Sequence, residues 1–121
     1  MLVLNVLNKK LSDSSLKEMS KYDVYKYYLT ITNISTGIFT NRQIDLLSFI
    51  LSSGIDPGKR GSNSIISNEL GMSSQHISNI KAELIKNDYM NINGELHSYF
   101  VSLRNMIDSV DEIEISLKMK L

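Results

Sequence analysis

Residues 64–83, SIISNELGMSSQHISNIKAE, are the stretch from which the fold of this chain can be predicted. Two segments with apolar residues at helical spacing flank a short polar stretch that contains Gly71. The apolar residues expected on their facing sides are Ile66, Leu70, Ile77 and Ile80. Glycine adopts a positive φ without a Cβ penalty, so Gly71 can redirect the chain. The pattern therefore predicts a helix over about 62–70, a turn at 71–73, and a second helix capped by Ser74.

The spacing of this stretch resembles the helix-turn-helix motif of bacterial and phage regulators. In that motif a small residue precedes the turn glycine by four positions, and an apolar residue follows it by six. Ser67, Gly71 and Ile77 occupy those positions here. The family more often has alanine where this chain has Ser67, and serine is small enough to fit.

The sequence after the second helix extends the resemblance. MNINGELHSYF, residues 90–100, predicts two short extended pieces around Asn93–Gly94, a dipeptide favoured in two-residue hairpin turns. Helix, helix, turn, longer helix and hairpin is the order of a winged helix-turn-helix domain, and the resemblance covers about residues 38–98. Within it, residues 40–51 and 66–91 are similar to small winged-helix proteins encoded by bacteriophages.

The sequence before the motif predicts two more helices. Thr40 can cap the helix NRQIDLLSFILSS, and Gly54 suits the left-handed residue that ends it. The apolar stripe of this helix is Ile44, Leu47, Ile50 and Leu51. The earlier segment 22–35 favours a helix, although its β-branched and aromatic residues also suit a strand. Its expected buried face is Val24, Tyr27, Tyr28, Ile31 and Ile34.

The two ends of the chain predict a small β component. Residues 112–121, EIEISLKMKL, alternate apolar and polar side chains, and residues 2–8 are its natural partner strand. Ser98 is expected to cap the helix that precedes the last strand. A two-stranded ribbon is marginal alone, so it either packs on the helices or forms an association surface for a homo-oligomer or a phage protein partner. The predicted fold class is mainly α with small β, a winged helix-turn-helix core plus a terminal two-stranded ribbon, in a single domain 1–121.

Composition limits the possible partners. Thirteen basic and thirteen acidic residues give a net charge of zero, so any affinity for DNA must come from a local arrangement of charge. No uninterrupted apolar run approaches the roughly 20 residues of a membrane helix, and the N-terminus lacks a signal-peptide pattern. We therefore expect no membrane partner and a cytoplasmic location, the host cytoplasm for a phage-encoded protein, with the virion as the alternative.

The resemblance implies that the second helix enters the major groove of double-stranded DNA. The positions that then meet base edges are Ser74, Gln75, Ser78 and Asn79, whose side chains suit hydrogen bonding to bases. The expected phosphate contacts are Lys59, Arg60, Lys81 and Lys86. Asn93 and Gly94 form the expected wing. The alternative for the polar positions is an ordinary solvated helix face.

The residue types in this sequence do not indicate a catalytic site or a metal site. His76 and His97 are the only histidines, the chain has no cysteine, and no HExxH spacing occurs. We therefore predict no catalytic residue, no metal site and no cofactor. Two hypotheses remain: a winged-helix DNA-binding protein acting as a phage-encoded transcription regulator or replication accessory, or a winged-helix protein-interaction or virion-assembly module without specific DNA binding.

Overall fold

The computed structural model describes residues 20–108, apart from the side chain of Ser35. This part of the chain forms five helices joined by short loops. They are α1 (Lys21–Thr36), α2 (Asn41–Ser53), α3 (Ser62–Leu70), α4 (Ser74–Lys86) and α5 (Ser98–Asp108). The predicted terminal strands at 2–8 and 112–121 lie outside the described residues.

Helix α2 is the centre of the fold, since it packs against each of the other four helices. Its start is a capping box: Gln43 N donates to Thr40 Oγ1 at 3.2 Å, and Thr40 N donates to Gln43 Oε1 at 3.0 Å. Gly54 ends it with φ of 72°. The prediction for this helix is confirmed at both ends. Its buried apolar residues are Ile44, Leu46, Leu47, Ile50 and Leu51.

Helix α1 is confirmed as a helix, and Val24 and Tyr28 of its predicted buried face pack against the core, but that face is not centred where it was predicted. Tyr25 and Leu29 are the residues that enter the core, whereas Ile34 is 76% exposed. The Tyr25 hydroxyl donates to Asp108 Oδ1 at 3.2 Å, so its ring is buried while its polar end reaches α5. This partner lies at the far end of the described chain, so local periodicity contains no information about it.

The helix-turn-helix forms as predicted between α3 and α4. Gly71 has φ of 65°, and Ile66 and Ile77 are fully buried on the facing sides of the two helices. The Ser67 hydroxyl donates to the Met72 carbonyl at 2.5 Å. Serine at this position therefore closes the turn with a hydrogen bond that alanine cannot make.

Two predicted helix caps lie one residue too late. The cap of α4 is Ser73, whose Oγ accepts from His76 N at 3.1 Å, while Ser74 is already helical. Ser98 is likewise the first residue of α5, and His97 Nδ1 accepts from Tyr99 N at 3.1 Å. In α4 the reason is the backbone, because Ser73 has the extended conformation that a cap requires.

The predicted fold class, mainly α with small β around a winged helix-turn-helix core, is wrong for the part of the chain that the structure describes. Residues 20–108 contain no β-strand, and the expected wing is reduced to one antiparallel bridge between Met90 and Leu96. Asn91 Oδ1 accepts from the backbone N–H groups of Asn93 and Glu95, so an Asx-type turn takes the Glu95 donor that a longer hairpin would pair with the Asn91 carbonyl. The described fold is helical.

The turn at residues 91–94 is held against the loop before α3 by main-chain contact. Gly94 is buried with φ of 85°, and a Cβ placed on it would lie 2.3 Å from Gly58 N. A Cβ placed on Gly58 would lie 1.9 Å from the Asn93 carbonyl oxygen. Two glycines therefore let the two loops approach more closely than any other residue type allows.

Candidate nucleic-acid interface

Helix α4 divides into a buried face and an exposed face. Ile77, Ile80 and Leu84 are buried against the rest of the fold. Since successive residues are about 100° apart around a helix, the stripe opposite them can be read from the sequence. It consists of Gln75, Asn79, Ala82 and Lys86, all of them exposed. The helix is thus anchored along one side and presents polar or small residues along the other.

The four predicted base-contact residues all lie in the first two turns of α4. Ser74, Gln75, Ser78 and Asn79 are exposed, and the first turn carries no acidic residue. Gln75 Nε2 donates to Asn79 Oδ1 at 3.1 Å. This bond holds the two amides side by side and leaves Gln75 Oε1 and Asn79 Nδ2 for a base edge.

A residue that the sequence did not single out, Asn63, links α3 to this surface. Asn63 Nδ2 donates to Ser78 Oγ at 2.9 Å, and Asn63 Oδ1 accepts from Lys81 Nζ. The only signal in the sequence is that Ser78 and Lys81 are three residues apart and so share one side of α4. Their common partner is 15 or more residues away and required the tertiary structure.

Lys81 was predicted to contact phosphate, but its ammonium group is used within the fold. Besides Asn63, Nζ donates to the Pro57 carbonyl at 2.7 Å and to Ser62 Oγ at 3.2 Å. Burial lowers the pKa of Lys81, against an opposing effect of Asp56. The phosphate contact at Lys81 stays a prediction. The bond to Pro57 attaches α4 to the loop before α3.

The other predicted phosphate contacts, Lys59, Arg60 and Lys86, are all exposed. Lys59 and Arg60 lie in the loop that Lys81 holds, and Lys86 closes the helix roughly 16 Å from Gln75 at 1.5 Å per residue. Glu83, the acidic residue within α4, accepts from Gln43 Nε2 at 2.9 Å. The acidic residue of α4 is thus paired with an amide group, whereas Lys59, Arg60 and Lys86 are exposed.

The two residues predicted for the wing differ in their environment. Asn93 is exposed at the tip of the turn, next to the loop that carries Lys59 and Arg60. Gly94 is buried and serves the close approach to Gly58. Asn93 and the basic loop are thus brought together, although no strand pair supports them.

Residues 20–108 carry neither a candidate metal centre nor a candidate membrane span. No group of three or more His, Cys, Asp or Glu side chains there is arranged to hold a metal ion. None of the five helices described is both long enough and apolar enough to cross a membrane.

No family model, curated protein or solved structure matches this chain. The resemblance to phage helix-turn-helix proteins therefore stays a prediction, and function has to be inferred from the interface itself.

Proposed function

We propose that this chain is a helix-turn-helix DNA-binding protein, of the phage regulator or replication-accessory type, that reads double-stranded DNA with α4. The observation that carries the proposal is the exposed surface of Ser74, Gln75, Ser78 and Asn79 on the first two turns of a helix anchored by its opposite face. Amide and hydroxyl side chains at such positions supply hydrogen bonds to base edges in the major groove.

The charge distribution favours a protein that depends on base reading more than on phosphate attraction. Net charge is zero, and three of the predicted phosphate contacts, Lys59, Arg60 and Lys86, are exposed. Each phosphate contact contributes about 0.9 to the slope of log K against log salt, so three contacts predict a slope near −2.7. Binding to random DNA is therefore expected to be weak, with most of the affinity reserved for a preferred sequence.

The test is selection of bound duplexes from a random library with the full chain, followed by anisotropy titration of the enriched sequence. Gln75→Ala and Asn79→Ala should each lower affinity for that sequence by about 1–3 kcal/mol and relax the preference at one position. Asn105→Ala, an exposed asparagine on α5, is the matched control and should leave both unchanged.

Two results of this selection would count against the proposal. If the unaltered protein enriches no sequence, base reading by α4 is wrong. If Asn105→Ala changes the preference as much as Asn79→Ala does, the preference does not reside on α4.

A protein-interaction or virion-assembly module is the second candidate. It is favoured by a groove of about 370 Å³ between the end of α1 and the start of α5, with Ile38 51% exposed and Tyr99 46% exposed at its edge. Exposed apolar side chains grouped around a groove are typical of interaction sites. A protein that binds no duplex even at about 50 mM salt, where phosphate contacts are strongest, would favour this candidate over the first.

A further inference from the structure

Three polar side chains form one directed chain of hydrogen bonds that ends on the proposed reading surface. Lys81 Nζ donates to Asn63 Oδ1, and Asn63 Nδ2 donates to Ser78 Oγ at 2.9 Å. The ammonium group can only donate, so it fixes which end of the Asn63 amide faces it. The other end, Nδ2, is then the one that meets Ser78.

The direction of these hydrogen bonds determines whether Ser78 presents a donor or an acceptor to a ligand. A serine hydroxyl has one hydrogen and two lone pairs, and Asn63 occupies one of the lone pairs. Hydrogen bonds that run in one direction polarise one another, so an oxygen that accepts from Asn63 becomes a better donor through its own hydrogen. Because the first donor is charged, the polarisation begins from a strong bond.

We propose that Ser78 determines specificity by donating its hydroxyl hydrogen to an acceptor on a base edge, and that Asn63, oriented by Lys81, sets this direction. The inference rests on the proposed DNA-binding function and adds to it a chemical preference at one position. Asn63 acts through Ser78 and is a positioning residue.

The base favoured by a donor at this position follows from the groups in the major groove. Guanine presents two acceptors, N7 and O6, whereas cytosine presents only the N4 donor. Ser78 should therefore favour guanine over cytosine at its position by about tenfold, the effect of one hydrogen bond made against one lost.

Asn63→Asp tests the direction of the hydrogen bonds from Lys81 to Ser78 without removing any atom from the reading surface. The carboxylate can accept from both Lys81 and Ser78 but cannot donate. The Ser78 hydrogen is then turned toward residue 63, and only lone pairs remain for the base. The preference at that position should shift from guanine toward cytosine, which presents only a donor.

Asn68→Asp is the matched control, since it makes the same chemical change on the same helix. Asn68 is exposed and lies about 140° around α3 from Asn63. It adds the same negative charge near DNA, so it should weaken binding without altering the preferred base. The experiment is selection from a random duplex library with the full-length protein and both variants, after circular dichroism has shown that each is folded.

The outcomes separate this inference from the proposed function. A shift of preference with Asn63→Asp alone supports the inference. The same enriched sequence for all three proteins overturns it and leaves the DNA-binding proposal in place. No enrichment with the unaltered protein overturns both.

Ser78→Ala keeps the inference testable if Asn63→Asp does not fold. Ser78 is exposed, and alanine is well suited to a helix, so this variant should be stable. Loss of the guanine preference at one position, with the other positions unchanged, supports the role of Ser78. An unaltered preference at every position overturns it.

Discussion

Gly94 meets two structural requirements that fall on separate residues elsewhere in the chain. It has a positive φ of 85°, and its Cα faces the backbone of Gly58 too closely for a side chain. Gly54 has a positive φ but open space around it, whereas Gly58 has the close contact without a positive φ. The three glycines therefore allow backbone strain and steric exclusion to be measured separately.

Alanine substitutions at these glycines should differ in a defined order. Gly54→Ala should lower the free energy of unfolding by about 1 kcal/mol, the penalty of a left-handed residue. Gly58→Ala should lower it by about 1–3 kcal/mol through overpacking, and Gly94→Ala by roughly the sum. Urea unfolding measures all three. If Gly94→Ala costs no more than Gly54→Ala, the two loops do not approach as closely as described.

Tyr25 should make stability depend on pH in the alkaline range. Burial, followed by the charge and hydrogen bond of Asp108, raises its pKa to about 12, and burial with Asp45 does the same for Tyr22. The unfolded chain then loses these protons from pH 10 upward while the fold retains them, so stability falls as pH rises toward 12. The lowered pKa of Lys81 makes stability rise with pH, but this effect ends at pH 10.5, the ordinary pKa of its side chain.

Tyr25→Phe is the variant that tests this dependence. It should lower stability at neutral pH by about 1 kcal/mol, because the bond to Asp108 is lost, and it should make the fall above pH 10.5 shallower. Urea unfolding measured at intervals across that range gives both quantities. Parallel curves for the two proteins would contradict the assigned pKa.

At the scale of elements, α3 and α4 form a unit whose stability depends on a few buried residues. Ile66 is fully buried and Ile65, its neighbour on α3, is 53% exposed. Ile66→Ala should cost about 2–5 kcal/mol through lost burial and a cavity, whereas Ile65→Ala should change stability by about 0.5 kcal/mol or less. Thermal and urea unfolding of the two variants provide the comparison, and equal losses would mean that the face of α3 is misassigned.

The sequence predicted the elements whose signals are local. The helices around Gly71 and the start of α2 depend on apolar residues three or four positions apart and on caps within one turn. A positive φ at Gly71 also follows from the residue type alone. Contacts of this range are contained in any short window of sequence, so they need no knowledge of the rest of the fold.

The predictions that failed depend on competition or on distant partners. The Asn93–Gly94 dipeptide is typical of a hairpin, but the side chain of Asn91 takes two backbone donors and leaves a single bridge. The buried face of α1 follows Tyr25, whose partner Asp108 is 83 residues away. The link from Asn63 to Ser78 likewise exists only once α3 and α4 have packed.

The whole molecule carries no net charge, so its behaviour toward DNA should differ from that of a strongly basic protein. Under the proposed function, association with DNA is not accelerated by a long-range positive field, and affinity for random DNA is expected to depend on Lys59, Arg60 and Lys86. We therefore expect the preference for one DNA sequence to matter more for this protein than its affinity for DNA in general.

A salt series tests this assignment of the basic residues. The double variant Lys59→Ala, Arg60→Ala should reduce the slope of log K against log salt by about 1.8, and Lys86→Ala by about 0.9. Lys21→Ala, on α1, removes an exposed charge paired with Asp108 and should leave the slope unchanged. Anisotropy at four or more salt concentrations gives the slopes, and an equal change with Lys21→Ala would mean that the effect is one of net charge only.

The contact between Gly58 and Gly94 also bears on how this protein can evolve. Because main-chain atoms make the closest approach, the exposed side chains around it, those of Lys59, Arg60, Asn93 and Glu95, are not required for the spacing of the two loops. Selection can change them one at a time while the two glycines keep the geometry constant. Under the proposed function, the backbone contacts to DNA can therefore be strengthened or weakened by single surface substitutions, without an intermediate that fails to fold.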